Sequence, residues 1–211
     1  MLRLTQYKKR YGPVTILDVP ELLIPQGIYW VKGANRAGKS TLLKSIGGLL
    51  HFEGNIVLDE QLDIHKDPET FRQRVNFADA EPLFPEFLTG QEMIGFFRDA
   101  KDGTTEQATY WIERFGMQPY LEQLIGTYSS GMLKKLSITL AFLGNASLIL
   151  LDEPCITLDT DALQALSTGI ADRHRQHNTS FLISSHQPLH IDGLTPAHHL
   201  LVENGTLAFT A

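Results

Sequence analysis

The residues Gly33-Ala34-Asn35-Arg36-Ala37-Gly38-Lys39-Ser40-Thr41 are of the types and spacing that hold phosphate. They fit the pattern Gly-x-x-x-x-Gly-Lys-Ser, which follows the apolar run Ile28-Tyr29-Trp30-Val31 and precedes Leu42, Leu43, Ile46, Leu49 and Leu50 at helical spacing. A strand, a glycine loop and a helix are therefore expected in that order, the context this pattern needs. Backbone N–H groups of such a loop turn inward, and the helix N-terminus behind them adds partial positive charge, so a polyphosphate is satisfied there. In that arrangement Lys39 reaches the β and γ phosphates and Ser40 holds a magnesium ion. A plain glycine-rich strand-to-helix turn has the same composition; the flanking strand and helix favour phosphate binding.

A second set of chemical groups lies in Leu148-Ile149-Leu150-Leu151-Asp152-Glu153-Pro154. Four apolar residues in a row suit a strand buried on both faces, and ligands of open α/β sheets bind at the carboxyl ends of such strands. Asp152 is placed to bind magnesium through water, and Glu153 to polarise a water that attacks the γ-phosphate. Taken alone, a buried strand followed by acids is equally an ordinary structural element. Upstream, Ser129 or Ser130 can cap a helix carrying Leu133, Leu136, Leu140 and Leu143, either as a simple N-cap or as a second phosphate-binding helix terminus. Downstream, Phe181-Leu182-Ile183 leads through Ser184-Ser185 to His186, a histidine at the end of a strand on the same presumed edge.

Short apolar strands alternating with helical patterns predict a mainly parallel sheet covered by helices, an α/β fold. Val75–Ala78 reads as a strand, and Thr89-Gly90-Gln91-Glu92 has capping-box spacing at the start of a helix. From there to about Gly126 the pattern is helical, an insertion lying between Lys39 and Asp152, which stand far apart in the sequence. Asn204-Gly205 between Leu200-Leu201-Val202 and Leu207-Ala208-Phe209 is a hairpin signal, so both ends of the chain are expected to be β. With 211 residues, 43% of them hydrophobic, the chain can bury a proper core. Its net charge of −6 argues against a nucleic-acid partner. The single Cys155 leaves no internal disulfide and points to a reducing compartment. The N-terminal residues lack the apolar core of a signal peptide, and no stretch approaches the length of a membrane span. A cytoplasmic chain is the expectation.

Together these residues resemble the nucleotide-binding subunit of ATP-binding cassette (ABC) transporters, nearest to bacterial drug- and haem-exporter-like ATPases. The phosphate loop spans Gly33 to Thr41, the family signature Tyr128-Ser129-Ser130-Gly131-Met132, and the magnesium and base strand Leu148 to Glu153; Thr157-Leu158-Asp159 resembles the loop that contacts the partner site. His186 matches the switch histidine, and Tyr11, followed by Gly12, sits where family members stack an aromatic ring on adenine. The resemblance implies one cassette domain over residues 1–211, with a phosphate-loop NTPase core, an N-terminal antiparallel β subdomain and a helical subdomain inserted at about 83–127. It also implies ATP hydrolysis with magnesium, in which Lys39, Glu153 and His186 act on the γ-phosphate. A second cassette would lay Ser129, Ser130 and Gly131 against the ATP of the first, and a separate multi-span permease would hold the pair at the inner face of the membrane. A soluble ATP switch without a transporter is the alternative. Such relatives commonly carry tandem cassettes, coiled-coil insertions or basic extensions, none of which this sequence shows.

Several positions depart from the family pattern. Arg36 stands where a glycine is usual, Ser130 where the signature has its first glycine, and Met132 where it often has glutamine. Ala80, within Phe77-Ala78-Asp79-Ala80-Glu81-Pro82, falls where a glutamine, or in some branches a glutamate, normally reaches toward magnesium and the attacking water, so slow hydrolysis is expected unless Asp79 or Glu81 substitutes. Cys155 reads as a packing residue, and His174, His177, His198 and His199 as surface or structural. The apolar cluster Leu83, Phe84, Phe87, Phe96 and Phe97 is either core of the helical lobe or part of a groove that grips a membrane partner.

Overall fold

The structure, a computed structural model, describes residues 1–185 and 198–210. Strands β1 (Leu2–Tyr11) and β2 (Val14–Ile24) form an antiparallel hairpin, β3 (Ile28–Lys32) leads into helix α1 (Lys39–Ile46), and β4 (Glu53–Leu58), β5 (Leu62–Asp63), α2 (Pro68–Arg74) and β6 (Val75–Ala78) follow. Next come α3 (Gly90–Ala100), α4 (Thr105–Arg114), two 3₁₀ turns at Gln118–Tyr120 and Ile125–Thr127, and α5 (Ser130–Ala141). The chain continues through β7 (Leu148–Asp152), α6 (Thr160–His177), β8 (Ser180–Ser184), β9 (His198–Glu203) and β10 (Thr206–Thr210). An antiparallel sheet takes the order β2-β1-β4-β5, and a six-stranded sheet the order β10-β9-β3-β8-β7-β6. In the larger sheet β3 pairs in parallel with β8 and β9, β7 with β8 and β6, and only β10 runs antiparallel, against β9.

The period of two in β7 divides the interior into two cores. Leu148 and Leu150 face the antiparallel sheet and α1, packing with Leu42, Leu43, Ile46 and Ile56, while Ile149 and Leu151 face the helices with Trp111, Leu136, Phe142 and Leu166. A strand buried on both faces has no polar side to alternate, which is why its sequence reads as an unbroken apolar run. Each of these side chains contributes about 2–3 kcal/mol by leaving water. The helical lobe is keyed to α6 by Trp111, whose ring lies tilted against Phe142 with centroids 4.3 Å apart and covers Gly169, where a Cβ would stand 2.2 Å from Trp111 Cη2.

Local signals placed most of these elements. The reciprocal capping box starts α3, with Thr89 N donating to Glu92 Oε2 at 2.8 Å and Glu92 N to Thr89 Oγ1 at 3.1 Å. Thr104 and Gln107 make the same exchange at the start of α4. Asn204 and Gly205 form the turn between β9 and β10 with φ of 50° and 75°, the left-handed pair a tight hairpin demands. The helical run expected to reach Leu49 and Leu50 is shorter: α1 ends at Ile46 because Gly47 caps it and Gly48 turns with φ 71°, leaving Leu49 exposed.

Candidate nucleotide site

The phosphate loop joins the end of β3 to the start of α1. Gly33 is required by its neighbour, since a Cβ there would lie 2.5 Å from the Val202 carbonyl of β9. Gly38, with φ 108°, forms the N-cap of α1 and brings no side chain to the helix N-terminus. Arg36 adopts φ 66°, a left-handed conformation that glycine takes freely and an L-residue only with strain. Lys39 is buried and folds back on the loop, donating to the carbonyls of Gly33 at 2.8 Å and Ala34 at 3.1 Å. Burial pulls its ammonium below the ordinary lysine range, while the carboxylates of Glu153 and Asp152 hold it up. Asn35, Arg36, Gly38, Lys39, Ser40, Thr41 and Glu153 together line a cleft of about 540 Å³, with Ile16 of β2 as its apolar wall.

The two acids leave the sheet at the end of β7. Asp152 is paired across the sheet with Ser184, whose hydroxyl donates to Asp152 Oδ1 at 2.5 Å and accepts the Glu153 N–H at 3.0 Å. Asp152 Oδ2 is buried and has no hydrogen-bond partner among the described residues. It lines a second cavity, of about 720 Å³, with Ser40, Asp79 and Ala80. A buried carboxylate oxygen left in this way is costly, and a bound hard cation would offset the cost. Magnesium suits the donors present, since it is usually held by one or two protein oxygens, phosphates and water rather than by a full protein cage. No group of three or more His, Cys, Asp or Glu side chains forms a cage among the described residues.

The segment Ser129–Gly131 lies elsewhere. Ser129 caps α5, its hydroxyl accepting the Met132 N–H at 3.3 Å, and none of Ser129, Ser130 and Gly131 lines either cavity. Two consecutive lysines tie this helix to the loops around the acids. Lys134, 2% exposed, donates to the carbonyls of Asp79 at 3.0 Å and Ala80 at 2.6 Å. Lys135 pairs with Asp159 at 2.7 Å, and Asp159 in turn caps α6. Gly131 approaches the Thr157 carbonyl closely enough that a Cβ would lie at 3.0 Å. Burial lowers Lys134 from the usual lysine range, opposed by the charges of Asp152, Asp79 and Glu153. Asp79 itself pairs with Lys44 of α1 at 2.8 Å, so its carboxylate is already engaged, and Glu81 is exposed.

The remaining expectations meet different fates. Tyr11, half exposed at the tip of the β1–β2 hairpin, lies outside the lining of the cleft, with Lys9 Nζ 4.7 Å over its ring. The apolar cluster is divided: Phe84 and Phe97 pack on the core of the helical lobe, whereas Leu83, at 95% exposed, Phe87 and Phe96 face outward. His174 bonds the Thr179 carbonyl, His198 stacks on Tyr29, and His199 lies against Trp30 and Lys32. Burial pushes the Cys155 thiol up to about 11, which leaves it inert as a nucleophile. His186 lies outside the described residues. Ser184, Lys134 and Ile16 went unassigned on the sequence; the first two act only through strand register and helix packing, and no local pattern marks them.

A phosphate loop after β3 of a mainly parallel sheet, with an acid pair at the end of β7 one strand beyond β8, defines a nucleoside-triphosphate-hydrolysing fold. The sequence profile of the family described as "ABC transporter" matches residues 22–156. The chain is 32% identical over 166 residues to the cytochrome c biogenesis ATP-binding export protein CcmA of Legionella pneumophila, covering 77% of this chain and 80% of that protein. It is also 32% identical over 187 residues to the aliphatic sulfonates import ATP-binding protein SsuB 2 of Burkholderia lata, covering 88% of this chain and 66% of the other. Among solved structures, an ATP-binding subunit of an ABC transporter superposes with a TM-score of 0.88 at 24% identity, covering 100% of this chain and 90% of the other. A dimeric, post-hydrolysis ATP-binding cassette bound to ADP and Pi does so with 0.83 at 18% identity, covering 98% and 96%. The chain belongs to the ABC transporter family. It is an ATP-binding, ATP-hydrolysing cassette of that family.

Proposed function

We propose that this cassette drives transport through a separate membrane permease by closing head to tail on a second cassette, with each ATP held between the Gly33–Thr41 loop of one chain and the Ser129–Gly131 segment of the other. The observation that carries this reading is the division of the site, since the helix N-terminus capped by Ser129 lines neither cavity around the loop and the acids. In the closed pair, the N–H groups of that terminus would face the γ-phosphate, where charge shifts during transfer, and water would be expelled. Ser40 and Asp152 would hold a magnesium ion, which when bound neutralises charge on the phosphates. Lys39, released from the Gly33 and Ala34 carbonyls, would turn to the β and γ phosphates, and Glu153 would take a proton from the attacking water. His186 is assigned a γ-phosphate contact on the family resemblance alone.

The permease contact is assigned to the outward-facing side chains Leu83, Phe87 and Phe96, of which Leu83 lines the cavity with Asp79 and Ala80. No helix among the described residues is long and apolar enough to cross a membrane, which fits a cassette held at the cytoplasmic face by its permease. The same division predicts how activity is shared between chains. Neither a Lys39→Ala chain nor a Ser129→Arg chain should hydrolyse ATP well alone, while an equal mixture should restore about one working site in each mixed pair. Turnover per molecule that does not change with protein concentration in a monomeric sample would overturn the shared site.

A further inference from the structure

Lys134 is charged and almost wholly enclosed, and nothing in the nucleotide chemistry above uses it. Leucine or methionine would fill the same space without the penalty of burying an ammonium, so packing alone does not account for the charge. What the ammonium touches is specific: the two consecutive carbonyls of Asp79 and Ala80, at the position where the side chain offers no polar group. The same loop is held on its other flank by the Lys44–Asp79 pair, so it is anchored to both α1 and α5. One residue along α5, Lys135 grips Asp159, so adjacent lysines bind this helix to the loops on either side of the acid pair.

We infer that Lys134 is a positioning residue that fastens the loop at Asp79 and Ala80 to α5 through the two backbone carbonyls of that loop. This inference rests on the reading of Ser129–Gly131 as the segment offered to a partner's nucleotide. Because Lys134 lies about one turn behind that segment on the same helix, seating α5 against a partner's ATP draws on the loop that walls this chain's own Asp152 cavity. The half-site a chain offers and the half-site it completes then move as one piece. Two discrete ties, added to the apolar packing of α5 against the core that includes Ala78, carry the linkage.

The test uses the full chain with Lys134→Met, which keeps the volume and removes every donor, and Lys134→Arg, which keeps the donors. Hydrogen exchange is followed by mass spectrometry without nucleotide, and steady-state turnover is measured with magnesium-ATP. For Lys134→Met, exchange across residues 78–82 should accelerate about tenfold while the strands of the large sheet stay protected. Its kcat should fall by about 10–100-fold, the usual cost of a small misplacement near the chemistry, with KM for ATP within about threefold of wild type. Lys134→Arg should recover most of the kcat. Should Lys134→Met fail to fold, Lys134→Leu, which likewise carries no donor, is compared in the same way. Unchanged exchange at 78–82, unchanged kcat, or faster exchange spread over the whole chain would each overturn the inference. A wild-type chain that does not bind magnesium-ATP would instead defeat the nucleotide reading, and the exchange comparison would still decide the fastening.

Discussion

Ser184→Ala is the sharpest test of how the acid pair is held. Its hydroxyl is fully buried and makes two bonds, donating to Asp152 Oδ1 and accepting the Glu153 N–H. Removing it deletes a hydrogen bond to a charged group, worth about 1.5–3 kcal/mol, and leaves a buried N–H without an acceptor, at about 1–3 kcal/mol. The two losses share one atom and do not add fully, so a net destabilisation of about 2–3 kcal/mol is expected. In a chain of this size that lowers the thermal midpoint by about 4–12 °C. Urea unfolding should show an earlier midpoint with an unchanged slope, since the fold itself is kept. Turnover should drop beyond what the folded fraction explains, because Asp152 and Glu153 both lose the group that orients them. A variant within about 0.5 kcal/mol of wild type, with normal turnover, would mean that the acids are held by other contacts and that the register of β7 against β8 is incidental to the site.

Three further substitutions address the departures from the family pattern. Arg36→Gly relieves a left-handed residue and should stabilise the nucleotide-free chain by about 1 kcal/mol, read as a higher thermal midpoint. It should also weaken ATP binding about two- to fivefold, more so at low salt, because an exposed cation leaves the phosphate cleft; a lower midpoint would show that the residue carries no strain. Ala80→Gln should raise turnover by about tenfold or more, as restoring one hydrogen-bond partner in a polar site allows. Glu81→Ala should leave turnover nearly unchanged, and a variant that instead loses most activity would show that Glu81 fills the gap.

The chemistry was more legible in the sequence than the supports behind it. Phosphate loops, capping boxes and an Asn-Gly turn each depend on a few adjacent residues whose backbone needs are local, so Gly33–Thr41, Thr89–Glu92 and Asn204–Gly205 announce themselves. The buried strand β7 was equally plain, because a strand between two cores must be apolar throughout. Ser184 was invisible as a support, since its role arises only when β8 lies beside β7 in the observed register. Lys134 was invisible for the same kind of reason: a lysine on a helix reads as a solvated residue until packing encloses it. Leu49 misled in the opposite direction, since its spacing continued the apolar stripe of α1 past the point where Gly47 and Gly48 end the helix.

The placement of two adjacent acids in two adjoining cavities follows from one break in periodicity. Successive side chains of a strand point to opposite faces, so continuing β7 by one residue would send Glu153 away from the phosphate loop whenever Asp152 faces it. The strand instead stops at Asp152, and Glu153 adopts φ 46°, a left-handed turn that an L-residue takes at a cost of about 1–2 kcal/mol. That turn lets Asp152 line the cavity with Ala80 while Glu153 lines the cleft with Lys39, with Ser40 common to both. The Ser184 hydroxyl bonds on each side of the break, to the carboxylate of one residue and the N–H of the next, and so holds the strained conformation in place. The left-handed turn at Glu153 is thus the structural condition for placing one carboxylate beside the phosphate cleft and the other beside the loop of Asp79 and Ala80, from two consecutive residues.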